Sequence, residues 1–224
     1  MAKLCEIDTA DIPGGRGQLR LLQRNDEFSI RIVGKPGELM NTRLHGSEDA
    51  LAELACERVR ENPNVRVLVG GLGMGFTLAA ALKSLGAEAE VVVAELVPGV
   101  VEWNRGPLGA AAGYPIRDPR CQIVVEDVVE VLARSEGAFD AIMLDVDNGP
   151  EGLTQRENDR LYSARGLESI QRALRPDGVL AVWSAGLDPG FSERLKRAGL
   201  CVEEHMVRAH RPGKGARHTI WLAW

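Results

Sequence analysis

No two of the four cysteines, Cys5, Cys56, Cys121 and Cys201, form a Cys-x-x-Cys pair, and they are scattered along the chain. That spacing excludes the common zinc-site and disulfide-framework patterns and implies reduced thiols in the cytosol. The histidines His45, His205, His210 and His218 lack metal-like spacing too, so no metal is assigned. No apolar run approaches the length of a membrane span. The segment from Met1 to Asp8 lacks the apolar stretch of a signal peptide, so a cytoplasmic protein without a membrane partner is expected. Long basic runs are missing as well. With 27 basic and 32 acidic residues the net charge is −5, which suits neither DNA nor RNA as partner. There is no internal repeat and no low-complexity tract. What remains is an ordinary globular composition: 224 residues, 45% hydrophobic and 26% charged. Such a chain can bury a core without staples. Its acidic balance fits a cationic substrate.

The pattern divides the chain near Gly46, into a small N-terminal β region (1–46) and a larger domain (47–224). In the first part, alternating segments at 18–23 and 28–33 flank the polar turn Arg24-Asn25-Asp26-Glu27 and predict a hairpin. Another short strand is expected over 39–43. Ser47 is placed to N-cap a helix over 48–60, whose apolar face carries Leu51, Leu54, Ala55 and Val59. From Val65 onward, short apolar strands (65–69, 90–95, 122–125, 138–145, 179–184) alternate with helical periods (76–85, 98–105, 128–135, 159–174). Nearly continuous apolar strands of this kind form a parallel sheet covered on both faces. After a short helix over 189–197, segments 201–209 and 218–224 read as an antiparallel pair. Such an α/β sheet closed by a hairpin points to a Rossmann-like, class I methyltransferase-type fold, with a mostly parallel seven-stranded sheet.

Four segments carry the chemistry. In Val69-Gly70-Gly71-Leu72-Gly73-Met74-Gly75, a buried strand ends in a glycine-rich turn that opens a helix. Glycines permit left-handed backbone and close ligand approach, which makes Gly71, Gly73 and Gly75 candidate cofactor contacts. Glu95 ends the next strand, where a carboxylate can accept two hydrogen bonds from a ribose diol. Turn and acid together suit an adenosine-containing ligand without separating a nicotinamide cofactor from S-adenosylmethionine. Asp127 follows the third strand and can accept from an adenine amine or simply cap the next helix. Finally, Asp145-Val146-Asp147-Asn148-Gly149-Pro150 ends a strand expected to be central. Carboxylates at the carboxyl ends of such strands face the ligand crevice. There Asp145, with Asp147 as neighbour, can hold a protonated amine and take its proton. A metal site at Asp145 and Asp147 lacks further ligands, and a purely structural turn is the plain alternative. Trp183 ends the strand beyond and can line the acceptor pocket or pack in the core.

In the order of these pieces the chain resembles the spermidine synthase family, the polyamine aminopropyltransferases, from about Arg24 to Val182. The hairpin segment Arg24-Asn25-Asp26-Glu27-Phe28, the glycine loop, Glu95, Asp127, Asp145 and Ala173-Leu174-Arg175-Pro176-Asp177-Gly178 carry the resemblance. It implies a donor site at the glycine loop, ribose binding by Glu95, adenine contact by Asp127 and a catalytic role for Asp145. It also implies a homodimer through the N-terminal region. Three departures stand out. Gly73 occupies the place of an aspartate that binds the donor's amine. Asn148 occupies that of the motif's second acid, with Asp147 displaced by one. The N-terminal region is shortened to about 45 residues.

The resulting expectation is a transferase that uses S-adenosylmethionine or its decarboxylated form as co-substrate to alkylate a small amine. Gly73 tilts the reading toward intact S-adenosylmethionine and methyl transfer; the alternative is aminopropyl transfer to a polyamine. An NAD-dependent oxidoreductase and a non-catalytic binding protein are the further alternatives.

Overall fold

The computed structural model describes residues 3–145, 160–210 and 214–224. Four antiparallel strands come first: β1 (Cys5–Asp11), β2 (Gln18–Arg24), β3 (Glu27–Ile32) and β4 (Met40–Asn41), side by side in that order. The β2–β3 hairpin turns where expected, with Asn25 in left-handed backbone (φ 55°), a conformation its short amide side chain tolerates. Strand β1 has no counterpart in the sequence pattern. Of its seven side chains only Ala10 is buried, so no apolar alternation marks it; its pairing with β2 defines it. Strand β4 is shorter than the 39–43 segment expected.

The rest of the chain alternates helix and strand: α1 (Gly46–Val59), β5 (Arg66–Gly70), α2 (Phe76–Ser84), β6 (Glu90–Glu95), α3 (Pro98–Arg105), β7 (Cys121–Val125), α4 (Val128–Arg134), β8 (Phe139–Leu144), α5 (Ala164–Ala173), β9 (Leu174–Ser184), α6 (Pro189–Arg197), β10 (Val202–His210) and β11 (Lys214–Ala223). The seven strands lie in the order β10-β11-β9-β8-β5-β6-β7. Neighbours from β9 to β7 are parallel, and β11 runs antiparallel to both β9 and β10. This is the class I methyltransferase-type sheet.

Two-residue periodicity sends the strand side chains to two cores. Val67 and Val69 of β5, Val91 and Val93 of β6, and Ala141 and Met143 of β8 meet Leu51, Leu78 and Val100 from α1, α2 and α3. Leu68, Val92 and Ile142 meet Val131, Ile170 and Phe191 from α4, α5 and α6 on the other face. The N-terminal sheet joins the first of these cores through Leu19, Leu21, Phe28 and Ile30. It is anchored on α3, where Trp103 Nε1 donates to Asp8 at 2.8 Å. A Cβ at Gly99 would collide with Ala10.

One expectation about α1 needs correction. The N-cap position is His45, with no side-chain cap, and Ser47 lies fully buried inside the first turn. Its hydroxyl donates to Glu48 instead. Two nearby partners, Glu48 and His218, take Ser47 away from capping.

At the amino end of β8, buried Asp140 accepts from Arg66 N–H (2.8 Å), Asn62 Nδ2 (3.2 Å) and Arg175 Nη1 (2.6 Å). It ties β8 to the start of β5 and of β9, far from the carboxyl ends where ligands gather. Removing one partner of a buried charged pair leaves the other unsatisfied, and Arg175 is a third exposed, which softens the loss. Asp140→Ala is therefore expected to lower unfolding free energy by about 2–3 kcal/mol, measured by urea denaturation.

Candidate active site

Strand order reverses between β5 and β8: β6 and β7 continue to one side, β9 and β11 to the other. A crevice opens at the carboxyl ends of two such strands, because the following loops diverge. Both loops carry expected site residues.

After β5, the backbone is left-handed at Gly71 (φ 92°) and at Gly75 (φ 84°), which caps α2. Space is tight at Gly75 as well. A Cβ there would lie 3.0 Å from Asn104 Oδ1 and 3.2 Å from Pro115 Cγ. Fully buried Asn104 of α3 secures the loop by donating from Nδ2 to the Gly73 and Val100 carbonyls, both at 2.9 Å. Glu95, 6% exposed at the end of β6, accepts from Leu72 N–H through one oxygen and from Val97 N–H through the other, each at 2.8 Å. Those bonds hold its carboxylate between the two loops. Asp127 accepts from Val129 N–H at 2.9 Å, so the capping role is realised.

Asp145 directly follows β8. Its N–H donates to the Gly70 carbonyl at 3.1 Å, and its Oδ2 accepts from Thr77 Oγ1 of α2 at 3.0 Å. Asp147 and Asn148 lie outside the described residues, as do 155–159 of the segment after them.

Two cavities meet at Asp145. The larger, of about 170 Å³, brings together Gly71, Gly73, Glu95, Asp127 and Asp145 under a roof of Leu19, Ile30 and Ile32 from the N-terminal sheet. Gly75 is not on its wall. The smaller, of about 60 Å³, is lined by Glu48, Phe76, Thr77 and Trp183. Leu39, Met40, Gly73 and Asp145 border both. Met40 Sδ lies 3.1 Å from where a Cβ at Gly73 would stand, so β4 occupies the direction a side chain at 73 would take.

The smaller cavity holds a second carboxylate that the sequence reading did not single out. The pKa of Glu48 is pushed up to about 7, first by burial and then by the negative charge of Asp145. The hydroxyl of Ser47, donating to Glu48 Oε2 at 2.6 Å, opposes that rise. Behind Ser47, 2.8 Å from its Oγ, stands His218 Nδ1. Burial lowers the pKa of His218, and its ring meets Trp183 edge to face with centroids 4.8 Å apart. His45 stacks on Phe76 and pairs with Asp49. Burial raises the thiols of Cys56, to about 12, and of Cys121, to about 11, away from nucleophilic character. Among the described residues no group of three or more His, Cys, Asp or Glu side chains is placed to hold a metal ion, and no helix is long and apolar enough to cross a membrane.

Sequence reasoning missed Asn104, Thr77, Met40 and Glu48. Glu48 was visible only as one acid in the first turn of a helix, and nothing local set it apart from Asp49.

A glycine turn after one central strand and carboxylates at the ends of its neighbours put the candidate site at the crevice where open α/β sheets take their ligands. The spermine/spermidine synthase domain matches residues 45–186, and the chain belongs to that family. Polyamine aminopropyltransferase 2 of Pseudomonas aeruginosa is 31% identical over 144 residues, which are 62% of this chain and 38% of that protein. The polyamine aminopropyltransferase of Korarchaeum cryptofilum is 28% identical over 127 residues, 57% of this chain and 37% of its own. The chain thus spans under two fifths of the length of these curated relatives. Among solved structures, a spermidine synthase in complex with the transition state analogue AdoDATO superposes with a TM-score of 0.74 at 19% identity. The match covers 99% of this chain and 73% of that one, and it establishes the shared fold. The Thermotoga maritima spermidine synthase gives 0.73 at 18%.

The Asn104 bridge generates a prediction. Asn104→Ala removes the side-chain donor to the Gly73 carbonyl inside the core, which is expected to cost about 1–3 kcal/mol in thermal or urea unfolding. Asn104→Asp, which keeps the shape but loses the donating amide, should cost at least as much.

Proposed function

We propose that the chain transfers the aminopropyl group of decarboxylated S-adenosylmethionine to a small amine. The observation that carries this reading is the position of Asp145 on the boundary of two cavities. One has the glycine loop, Glu95 and Asp127 on its walls; the other is acidic and aromatic. Membership of the family and its relatives' names as polyamine aminopropyltransferases support aminopropyl over methyl transfer.

In this reading the nucleoside of the donor lies in the larger cavity, with its ribose at Glu95 and its adenine toward Asp127. The acceptor enters the smaller cavity as an ammonium, drawn by two carboxylates. Asp145, held by Thr77 Oγ1, orients the acceptor nitrogen in line with the carbon next to sulfur. Such alignment converts a bimolecular encounter into an effectively unimolecular displacement. The apolar roof from the N-terminal sheet keeps water from the sulfonium.

One observation favours methyl transfer from intact S-adenosylmethionine as a second reading. Gly73 offers no carboxylate to a donor amine, and Met40 fills the adjoining space. Thermal unfolding with each donor and its product nucleoside separates the two. A ligand at a hundred times its dissociation constant adds about 2.7 kcal/mol, a shift of roughly 5–10 °C for a chain of this size. The expected result is a shift with decarboxylated S-adenosylmethionine and methylthioadenosine. A shift confined to S-adenosylmethionine and S-adenosylhomocysteine would establish the second reading instead. With the preferred donor, Asp145→Asn is expected to lose most turnover while donor binding survives; unchanged turnover would reject the role given to Asp145.

A further inference from the structure

Two carboxylates border the smaller cavity, and their surroundings differ. Asp145 sits at the junction with the donor cavity and is tied to Thr77. Glu48 reaches the cavity from the first turn of α1, backed by Ser47 and then His218. With the Ser47 hydroxyl donating to Glu48, its oxygen is left to accept from His218 Nδ1–H, and a neutral His218 satisfies that arrangement. The line His218–Ser47–Glu48 therefore joins the terminal hairpin to the cavity wall and fixes one oxygen of Glu48.

We propose that Glu48 is the general base of the reaction: it takes the proton that the acceptor ammonium must lose, while Asp145 orients the nitrogen. This rests on the transferase reading above. Attack requires a lone pair, so one N–H bond of the ammonium breaks and an O–H bond forms on Glu48. The lone pair then forms the N–C bond to the carbon beside the sulfonium. The C–S bond breaks with its electron pair going to sulfur, and a neutral thioether leaves. The product amine keeps the positive charge, and Glu48 later returns its proton to water. Charge and atoms balance with no further reactant.

A base works best when its own pKa is near the working pH. The elevated pKa of Glu48, about 7, meets that condition. When two acids share a site, environments that set them apart divide their roles. The groups facing Glu48 come from several elements. Asp145 after β8 and Asp49 on α1 raise its pKa, with Asp49 itself paired to His45; Ser47 lowers it. From β11, His218 acts through Ser47; α2 presents the Thr77 hydroxyl and β9 the indole of Trp183. Strand β10 meets α1 through Glu203 and Arg58, in the helix's last turn. The aromatic walls, Phe76 and Trp183, suit the alkyl chain of a primary amine.

The test is the pH dependence of kcat/KM with decarboxylated S-adenosylmethionine and a series of alkyl mono- and diamines. In the wild type the rate should rise with pH through an inflection near 7, because the base must be ionised. Glu48→Gln should lose that inflection and about 10²–10⁴-fold in kcat, with methylthioadenosine binding unchanged. Since a neutral amide is no longer a buried charge, this variant should also unfold at a higher temperature than wild type at pH 8, which confirms that it is folded. Ser47→Ala removes the bond that lowers the Glu48 pKa and should move the inflection to higher pH. Full activity in Glu48→Gln would overturn the proposal while leaving the transferase reading intact. Loss of donor binding rather than of the pH inflection would overturn it too and reassign Glu48 to the donor. An absence of aminopropyl transfer by the wild type would overturn both.

Discussion

The hydrogen bond from Asp145 N–H to the Gly70 carbonyl is the last rung between β5 and β8, and the site depends on where it falls. Beyond Gly70 the chain enters the glycine turn and α2, while Asp145 stands directly after β8. The pair lies at the switch point of the sheet, since the strands on either side of it are added in opposite directions. Thr77 then reaches back from α2 to Asp145, so the first turn of the helix after one strand holds the carboxylate that follows the other. A one-residue shift in the β5–β8 register would turn the side chains of β8 to the opposite face of the sheet and take Asp145 out of reach of Thr77.

Around that junction, charge is handled in three different ways. Glu95 is nearly fully buried and keeps its carboxylate bonded to two backbone N–H groups from two loops. Asp140, at the other end of β8, is buried against an arginine, an asparagine and a backbone N–H, and serves the sheet alone. Glu48 accepts from the Ser47 hydroxyl, but its burial and its acidic neighbour Asp145 outweigh that bond and push its pKa up to about 7. Compensated carboxylates keep architecture in place. The undercompensated one sits in the cavity, where a cation would supply the missing partner.

The small N-terminal sheet contributes more than its size suggests. Leu19, Ile30 and Ile32 roof the larger cavity, and Met40 of β4 closes over Gly73. The pairing of Trp103 with Asp8 and the tight contact of Gly99 with Ala10 hold this sheet on α3. The cover and the cavity floor therefore come from opposite ends of a long stretch of chain.

Much of this was legible in the residues. Helices 98–105 and 189–197 and the strand 90–95 fall as the periodicity places them, because each is bounded by local punctuation such as Pro98, Pro189 or a change of period. The glycine turn and the acid after β6 were legible for the same reason: backbone that must be left-handed restricts the residue type. Strand β1 was not legible, since an exposed strand carries no apolar signature. Ser47 was misread as a cap, because its better partners lie one residue away in Glu48 and 171 residues away in His218. Local sequence determined where elements begin and which residues stand at strand ends, because propensity, turn chemistry and burial period act over a few residues. Only the tertiary structure decided that Glu48 faces the cavity of Asp145, that Asn104 ties down the glycine turn and that Met40 fills the space at Gly73. Those relations are between elements far apart in the chain, and desolvation and charge repulsion exist only once folding has put the groups side by side.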